Sequence, residues 1–271
     1  MEYLIACDLE GIHGVVGEPN KGLLTELPDY KVATTNAEKE INVVAKALFD
    51  SGATKVVLWD NHGGMVNVNR DNIDSRVIHI DRNAIKGQPR YDFVREHNFA
   101  GIVYIGYHSR EGTLNGVLAH TFSSVAIQYM KINGKAVGEL EIDSYICAKH
   151  GIAPIFFSSD DICVAQFKET APNITSVITK YAKGRNAADF IDEDKVLEDM
   201  YNGVCEAVKK DNPLIPMTTP LELEVRYTRM ERAAEKVKLA KVKNIPVRYG
   251  EDAHILFFEI DKIDDIPFFS S

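Results

Sequence analysis

The feature that most constrains this chain is a short, wholly apolar run near its start. Tyr3 to Cys7 leads without a break into Asp8-Leu9-Glu10-Gly11. A continuous apolar run of this length predicts a strand buried on both faces, as in parallel sheets covered by helices. Open α/β sheets bind ligands beyond the carboxyl ends of their strands, which is where this run places two carboxylates. The sequence therefore predicts an α/β protein with a polar site at one sheet edge.

Helices and further strands alternate after this first run. Apolar residues at helical spacing follow Asn36 and end at Ser51-Gly52, and Lys55 to Trp59 is strand-like again. Ile102 to Tyr107 and Ala153 to Phe157 are two more buried strands by the same reasoning. Strands that alternate with helices build parallel sheets covered on their faces. We therefore expect a mostly parallel sheet flanked by helices.

The middle of the chain adds an antiparallel element. Asn133-Gly134 lies between β-prone flanks and predicts a hairpin, which makes the sheet mixed rather than purely parallel. A helix is expected from Gly138-Glu139 to about Lys149. A long amphipathic helix is expected from Asp189 to Lys210, because Asp211-Asn212-Pro213 would end it.

The last quarter of the chain has a different pattern. From Pro220 onward apolar residues alternate with polar ones, and this period of two predicts strands. No internal repeat, low-complexity tract or clear linker separates this part from the rest. We expect an α/β catalytic domain over residues 1–215 and a smaller C-terminal strand and helix extension over 216–271, packed on the same core.

Charge and cysteine content limit the partners and the compartment. The chain has 31 Lys and Arg against 40 Asp and Glu, a formal net charge of -9. This balance argues against nucleic acid or an anionic membrane surface as a partner. The four cysteines form no CxxC pair, which argues against a thiolate zinc site or a disulfide framework. The opening apolar run is too short for a signal peptide or a membrane span, so we expect a cytoplasmic protein.

Asp8 and Glu10 are the sharpest chemical feature. In a strand that continues past Cys7, residues two apart point to the same face, so both carboxylates would converge. Two carboxylates placed together raise each other's pKa unless a cation neutralises them, which favours a metal site. The alternative is an ordinary polar loop in which Asp8 caps backbone amides.

His62, His108 and Glu139 extend this metal hypothesis. Both histidines follow a predicted strand beside glycines, and neutral imidazole is the commonest metal-ligating side chain. Each histidine taken singly could equally be structural. Glu139 begins a predicted helix, where the helix dipole stabilises a carboxylate, so a plain capping role is its alternative. This oxygen and nitrogen ligand set suits zinc, with another divalent metal possible.

The remaining polar residues near these motifs have candidate supporting roles. His120 is the best unassigned histidine for proton transfer or nucleophilic attack. His13 is a weaker candidate at the entrance, and Glu141 and Asp143 follow Glu139 closely enough to support the ligands or bind substrate. The sequence contains no GxxxxGK[ST], GxSxG, HExxH or dinucleotide-type glycine motif.

Together these motifs resemble those of the DppA-type family of zinc D-aminopeptidases. The resemblance spans roughly the first 170 residues and rests on five fragments in the family's order, namely Asp8-Leu9-Glu10-Gly11, Asp60-Asn61-His62, Gly106-Tyr107-His108, Leu118-Ala119-His120 and Val137-Gly138-Glu139. It implies two zinc ions held by Asp8, Glu10, His62, His108 and Glu139, with His120 as the catalytic histidine. It also implies removal of an N-terminal D-residue from short peptides such as D-Ala-D-Ala, by a ring-stacked homo-oligomer that would be a decamer.

The chain departs from the family pattern beside its fifth ligand. Glu141 and Asp143 stand where the resemblance leads us to expect small and amide residues, and this affects substrate identity more than metal chemistry. Two alternatives therefore stay open. One is a two-metal hydrolase of another amide or of a phosphoester, since metal clusters are reused across substrates. The other is a metal-binding oligomer without catalysis.

Overall fold

Two β-sheets and the helices around them organise the protein in a computed structural model that describes residues 1–270. The strands are β1 (Glu2–Cys7), β2 (Lys55–Asp60), β3 (Val77–His79), β4 (Phe99–Ile105), β5 (Ile127–Ile132), β6 (Lys135–Val137), β7 (Pro154–Asp160), β8 (Thr175–Gly184), β9 (Ala187–Phe190), β10 (Leu221–Tyr227), β11 (Val247–Tyr249) and β12 (Ile255–Ile260). The α-helices are α1 (Pro28–Asp50), α2 (Glu139–Lys149), α3 (Asp161–Lys168), α4 (Glu193–Ala207) and α5 (Met230–Val242).

The larger sheet has the strand order β3-β2-β1-β4-β7-β8-β9. All its neighbouring strands are parallel except β8 and β9. β1 lies between β2 and β4, and Cys7 is level with both Asp60 and Ile105. The segments that follow β1, β2 and β4 therefore leave the sheet side by side at one edge.

The first strand is buried on both faces, as its sequence predicts. Leu4 and Ala6 belong to one hydrophobic core, whereas Tyr3, Ile5 and Cys7 belong to the other. Helices α1 and α4 contact each other and cover the second of these cores. Helix α2 contributes to the first core, together with the smaller sheet. The predicted mixed, mostly parallel α/β sheet flanked by helices is confirmed.

The smaller sheet is antiparallel, with the order β11-β12-β10-β5-β6. Its central strand β10 has the expected alternation, since Leu221, Leu223, Val225 and Tyr227 are all buried. The predicted hairpin joins β5 to β6 through Asn133 and Gly134, which have φ values of 50° and 82°. This sheet combines strands from before and after residue 216, and the domain division at that point stays a prediction.

The structure differs from the sequence expectation mainly between residues 170 and 270. Instead of one long helix from Asp189, the chain forms β9 and then α4, because the Asp192 side chain accepts a hydrogen bond from the backbone N–H of Lys195 and caps the helix there. Strand β8 has no counterpart in the sequence expectation, whereas β11, β12 and α5 lie within the strand and helix extension expected after residue 216, without individual bounds. Within the described residues, none of the helices has the length and apolar character that spanning a membrane requires.

The close approach of the β1 and β4 ends depends on Gly106. Its φ is +72°, and a Cβ at this position would lie 2.2 Å from the backbone oxygen of Asp8. Gly134 has a similar φ of +82° but open space around it. We expect Gly106→Ala to destabilise the protein by roughly 3–5 kcal/mol and Gly134→Ala by about 1–2 kcal/mol, measured by chemical denaturation. Equal losses would contradict a steric requirement at Gly106.

Candidate metal centre

Asp8 and Glu10 are brought together by a turn rather than by a continuing strand. β1 ends at Cys7, and the backbone N–H of Gly11 donates to the Gly106 carbonyl at 2.7 Å. A Cβ at Gly11 would lie 2.1 Å from the Tyr107 carbonyl oxygen, so only glycine permits this approach. Asp8 and Glu10 are both buried, with 3% and 5% exposure. The carboxylates of Asp8 and Glu10 converge as predicted. They do so in a turn and not in the extended strand on which the prediction was based.

The buried side chain of Lys180 stabilises this turn through hydrogen bonds to its backbone carbonyls. The Lys180 ammonium donates to the carbonyl oxygens of Glu10, Ile12 and Val15 at 2.6–2.8 Å. The neighbouring Thr179 hydroxyl donates to the carbonyl of Gly11 at 2.7 Å. Burial lowers the pKa of Lys180 to about 8, against the opposing charges of nearby carboxylates. The backbone that carries Glu10 is therefore fixed from strand β8, three strands away from β1.

His62 and His108 approach the two carboxylates from neighbouring strand ends. His62 Nδ1 lies 2.9 Å from Asp8 Oδ1 and 3.2 Å from Glu10 Oε2. His108 Nε2 lies 3.5 Å from Asp8 Oδ2. The parallel register of β2 and β4 with β1 accounts for these distances, because it brings the residues after all three strands to the same edge.

Glu139 and His120 complete the cluster from outside the larger sheet. Glu139 begins helix α2, and its Oε1 lies 3.2 Å from His108 Nε2 and 3.8 Å from His120 Nε2. The same oxygen accepts a hydrogen bond from the backbone N–H of Phe122 at 2.7 Å. The rings of His108 and His120 are stacked with centroids 3.7 Å apart. All six predicted cluster residues therefore lie together.

These side chains present two sets of closely spaced ligand atoms that share His108. Atoms of Asp8, Glu10 and His108 lie within 4.8 Å of one another, as do atoms of His108, His120 and Glu139. Glu10 Oε2 and His108 Nε2 are buried and make no hydrogen bond of normal geometry within the described residues, although each lies 3.2 Å from a polar atom of the cluster. Buried polar atoms without partners are rare in proteins and point to an ion or water that binds them. The donor set thus fits one or two divalent cations.

The buried negative charges of the cluster also favour the binding of a cation. Burial and the neighbouring Glu10 raise the pKa of Asp8 to about 7. Burial alone would lower the pKa of both ligand-type histidines, yet the surrounding carboxylates raise it to about 12 for His62 and to about 10 for His108. Three buried carboxylates thus draw protons onto the imidazoles that face them, and a divalent cation would replace those protons.

His120 has a different electrostatic environment. Burial and the charge of His108 lower its pKa, which favours the neutral imidazole. Its Nδ1 lies 2.9 Å from the Leu118 carbonyl oxygen, an acceptor that requires the ring proton on Nδ1. The lone pair is therefore on Nε2, the atom that faces Glu139. A neutral histidine with this orientation can accept a proton inside the site.

The three candidates for a supporting role, Asp143, Glu141 and His13, make different contacts. Asp143 is fully buried and pairs with Arg90, while Glu141 accepts from the Gly138 backbone N–H at 2.8 Å and lies 3.5 Å from Arg110. His13 Nε2 lies 2.7 Å from the Ile191 carbonyl oxygen, and no contact joins its described atoms to the cluster. Their roles in support or substrate binding stay a prediction.

Three contributors to the site have no clear sequence signal. Lys180 and Thr179 belong to β8, a strand that was not predicted, and a lysine in a β-prone run ordinarily points to solvent. Arg90 follows Gln88-Pro89 in an irregular segment between β3 and β4. The one available hint is the carboxylate at Asp143, since an acid that is buried within a helix needs a cationic partner.

The fold and this cluster define a class of protein: an α/β protein with a candidate carboxylate and histidine metal centre at the carboxyl edge of a mostly parallel sheet. The chain belongs to the D-aminopeptidase family of peptidases, family M55, whose pattern it matches over residues 1–249. The resemblance inferred from the motifs and the predicted hydrolase class are thereby confirmed.

A curated sequence and a solved structure from Bacillus subtilis are both similar to this chain. A D-aminopeptidase of strain 168 is 24% identical over 224 residues, which is 81% of this chain and 78% of that protein. A solved structure, described as the Zn-dependent D-aminopeptidase DppA, a self-compartmentalizing protease, superposes with a TM-score of 0.82. It has 20% sequence identity, and the match covers 97% of this chain and 93% of that one. At this identity the superposition shows a shared fold.

The role of Lys180 can be tested against an exposed lysine on the same strand. We expect Lys180→Met to destabilise the protein by about 2–4 kcal/mol in chemical denaturation, because three buried carbonyls lose their donor. Lys183→Met is the matched control, since its ammonium is exposed and pairs only with Asp189. A Lys180→Met protein as stable as the control variant would contradict the proposed support of the Glu10 turn.

Proposed function

We propose that the chain is a metal-dependent aminopeptidase that removes an N-terminal D-amino acid from short peptides of the D-Ala-D-Ala type. The observation that carries this proposal is the convergence of three buried carboxylates and three histidines at one sheet edge. Membership of the D-aminopeptidase family supplies the reaction class. Two metal ions are proposed, with Asp8, Glu10, His62, His108 and Glu139 as ligands.

Zinc is the proposed metal. Imidazole nitrogen and carboxylate oxygen are both common zinc ligands, although another divalent ion could use the same atoms. The Bacillus subtilis protein of the same fold is described as Zn-dependent, which supports this choice. The lack of any cysteine in the cluster is consistent with a catalytic rather than a closed structural zinc site.

The proposed mechanism is amide hydrolysis. Bound divalent cations supply polarisation of the scissile carbonyl and acidify water. His120 acts beside them, because its neutral ring and free Nε2 let it accept a proton during attack and return it to the leaving amine. Direct nucleophilic attack by Nε2 is the alternative role for the same atom. Leu118 fixes the tautomer in either case, through its carbonyl.

Assembly and location belong to the same proposal. We propose a ring-stacked homo-oligomer, a decamer in particular, and the description of the Bacillus subtilis structure as self-compartmentalizing supports oligomeric assembly. Leu114 and Val125 are large apolar side chains with 83% and 78% exposure, as expected for residues that an oligomer would cover. The four cysteines are unpaired, which supports a reducing cytoplasmic location.

Metal content and hydrolysis should be measured on the same purified protein. We expect elemental analysis to find about two zinc ions per chain, and we expect cleavage of D-Ala-D-Ala but not L-Ala-L-Ala. A chelator should abolish cleavage and zinc should restore it. Metal without cleavage of any peptide, amide or phosphoester would favour a metal-binding oligomer. Full activity in metal-free protein would overturn the proposed chemistry.

Substitution of His120 separates catalysis from metal binding. We expect His120→Ala to fold and retain its metal but to lose about 100-fold or more in kcat, the usual contribution of a positioned acid or base. His150→Ala is the matched control, because His150 follows helix α2 and makes no contact with the cluster. Activity within several-fold of the unmodified enzyme would rule out the role proposed for His120.

A further inference from the structure

A cleft of about 470 Å³ adjoins the candidate metal centre through neighbouring residues, although none of the six cluster residues lines it. Gly63 and Gly64, which follow His62, form part of its wall. Phe122 lines it as well, and the backbone N–H of this residue donates to Glu139 Oε1. Gly63 and Phe122 therefore connect the cleft to the cluster.

The cleft has aromatic walls and a positive charge at its inner end. Trp59, Tyr91 and Phe122 line it together with Arg90. The Arg90 guanidinium carbon lies 4.9 Å from the Trp59 ring centroid and 5.2 Å from that of Phe122, so the two rings hold the guanidinium in place. Arg82 and Lys86 also line the cleft, and neither forms an ion pair within residues 1–270.

Arg90 is fixed by a buried carboxylate and still has unused donors. Its Nε and Nη2 pair with the two oxygens of Asp143 at 2.5 and 2.8 Å. Tyr107 and Tyr91 donate their hydroxyls to the same carboxylate at 2.9 and 3.3 Å. Asp143 thus has no capacity left for a substrate amine. Arginine has five N–H donors, and Nη1 of Arg90 has no partner in the described part of the chain.

Arg90 lies close to the cluster, on the scale of a single residue. Arg90 Nη2 lies 4.0 Å from Glu139 Oε2, a proposed metal ligand. In a peptide, equivalent backbone atoms of consecutive residues are about 3.8 Å apart. If the scissile carbonyl is at the cluster, the terminal carboxylate of a dipeptide therefore comes within reach of Arg90. A longer peptide would place a neutral amide there instead.

We propose that Arg90 binds the C-terminal carboxylate of the substrate and thereby selects dipeptides with a free carboxylate over amides and longer peptides. Asp143 is the positioning residue that holds Arg90 in this orientation. The proposal rests on the proposed aminopeptidase function and names its substrate class. Charge-assisted hydrogen bonds are roughly twice as strong as neutral ones, so a neutral C-terminus loses binding to Arg90.

The wild-type enzyme provides the first test, with D-Ala-D-Ala and its C-terminal amide as a matched substrate pair. We expect kcat/KM to be at least about tenfold higher for the free acid, mainly through KM. D-Ala-D-Ala-D-Ala should behave like the amide. Equal cleavage of the acid and the amide would overturn the assignment of Arg90 and leave the aminopeptidase function intact. Cleavage of neither would remove the function on which the assignment rests.

Variants of Arg90 and Asp143 then test whether these residues cause the preference for the free acid over the amide. Arg90→Gln with Asp143→Asn replaces the buried ion pair by a neutral pair of similar shape, and we expect the acid-to-amide preference to fall to within about threefold. Arg90→Lys, which keeps the charge but loses the bidentate geometry, should reduce the preference partially and serves if the double variant does not fold. A preference that persists in these variants would overturn the proposal.

The matched control uses an exposed pair of the same composition. Arg76 pairs with Asp74 through Nη2 at 2.6 Å, and its guanidinium carbon lies 4.1 Å from the Phe49 ring centroid. Arg76 therefore has the same kind of partners as Arg90, a carboxylate and an aromatic ring, but it lies outside the cleft. Arg76→Gln with Asp74→Asn should retain the full acid-to-amide preference. A loss of preference in this variant would attribute the effect to the removal of any arginine and carboxylate pair and would contradict a specific role for Arg90.

Discussion

The parallel pairing of β1 with β2 and β4 is the constraint on which the site depends. Because Cys7 is level with Asp60 and Ile105, Asp8 leaves the sheet beside the segments that carry His62 and His108. A parallel strand of this kind needs cover on both faces, which the two hydrophobic cores provide. The same cover excludes water from the carboxylates, so the burial that stabilises the sheet also creates the demand for a cation.

Two buried cations lie near the site, but neither of them neutralises its carboxylates. Lys180 binds backbone carbonyls beneath the Glu10 turn and leaves the carboxylates themselves unneutralised. Arg90 lies beside Glu139 but is committed to Asp143. Neither cation replaces a metal between Asp8, Glu10 and Glu139. The lysine shapes the backbone of the site and the arginine shapes the cleft next to it, while the centre remains available for ions.

Much of the site could be predicted from the sequence because its residues directly follow recognisable strands. Asp8, His62 and His108 come after apolar runs, and parallel strands deliver such residues to one edge. Strand β8 was missed because its exposed and buried residues do not follow a simple alternation. The Arg90 and Asp143 pair joins an irregular segment to a helix 53 residues later, and no local pattern encodes such a contact.

The shared burial of Arg90 and Asp143 has a consequence for how this protein can diverge. Loss of either residue alone would leave an unpaired charge inside the protein, at a cost of about 3–5 kcal/mol that few domains tolerate. We therefore expect substitutions at the two positions to occur together, or one soon after the other with an uncharged amide side chain as the intermediate. Orthologues should divide into those that keep both charges and those that have neither.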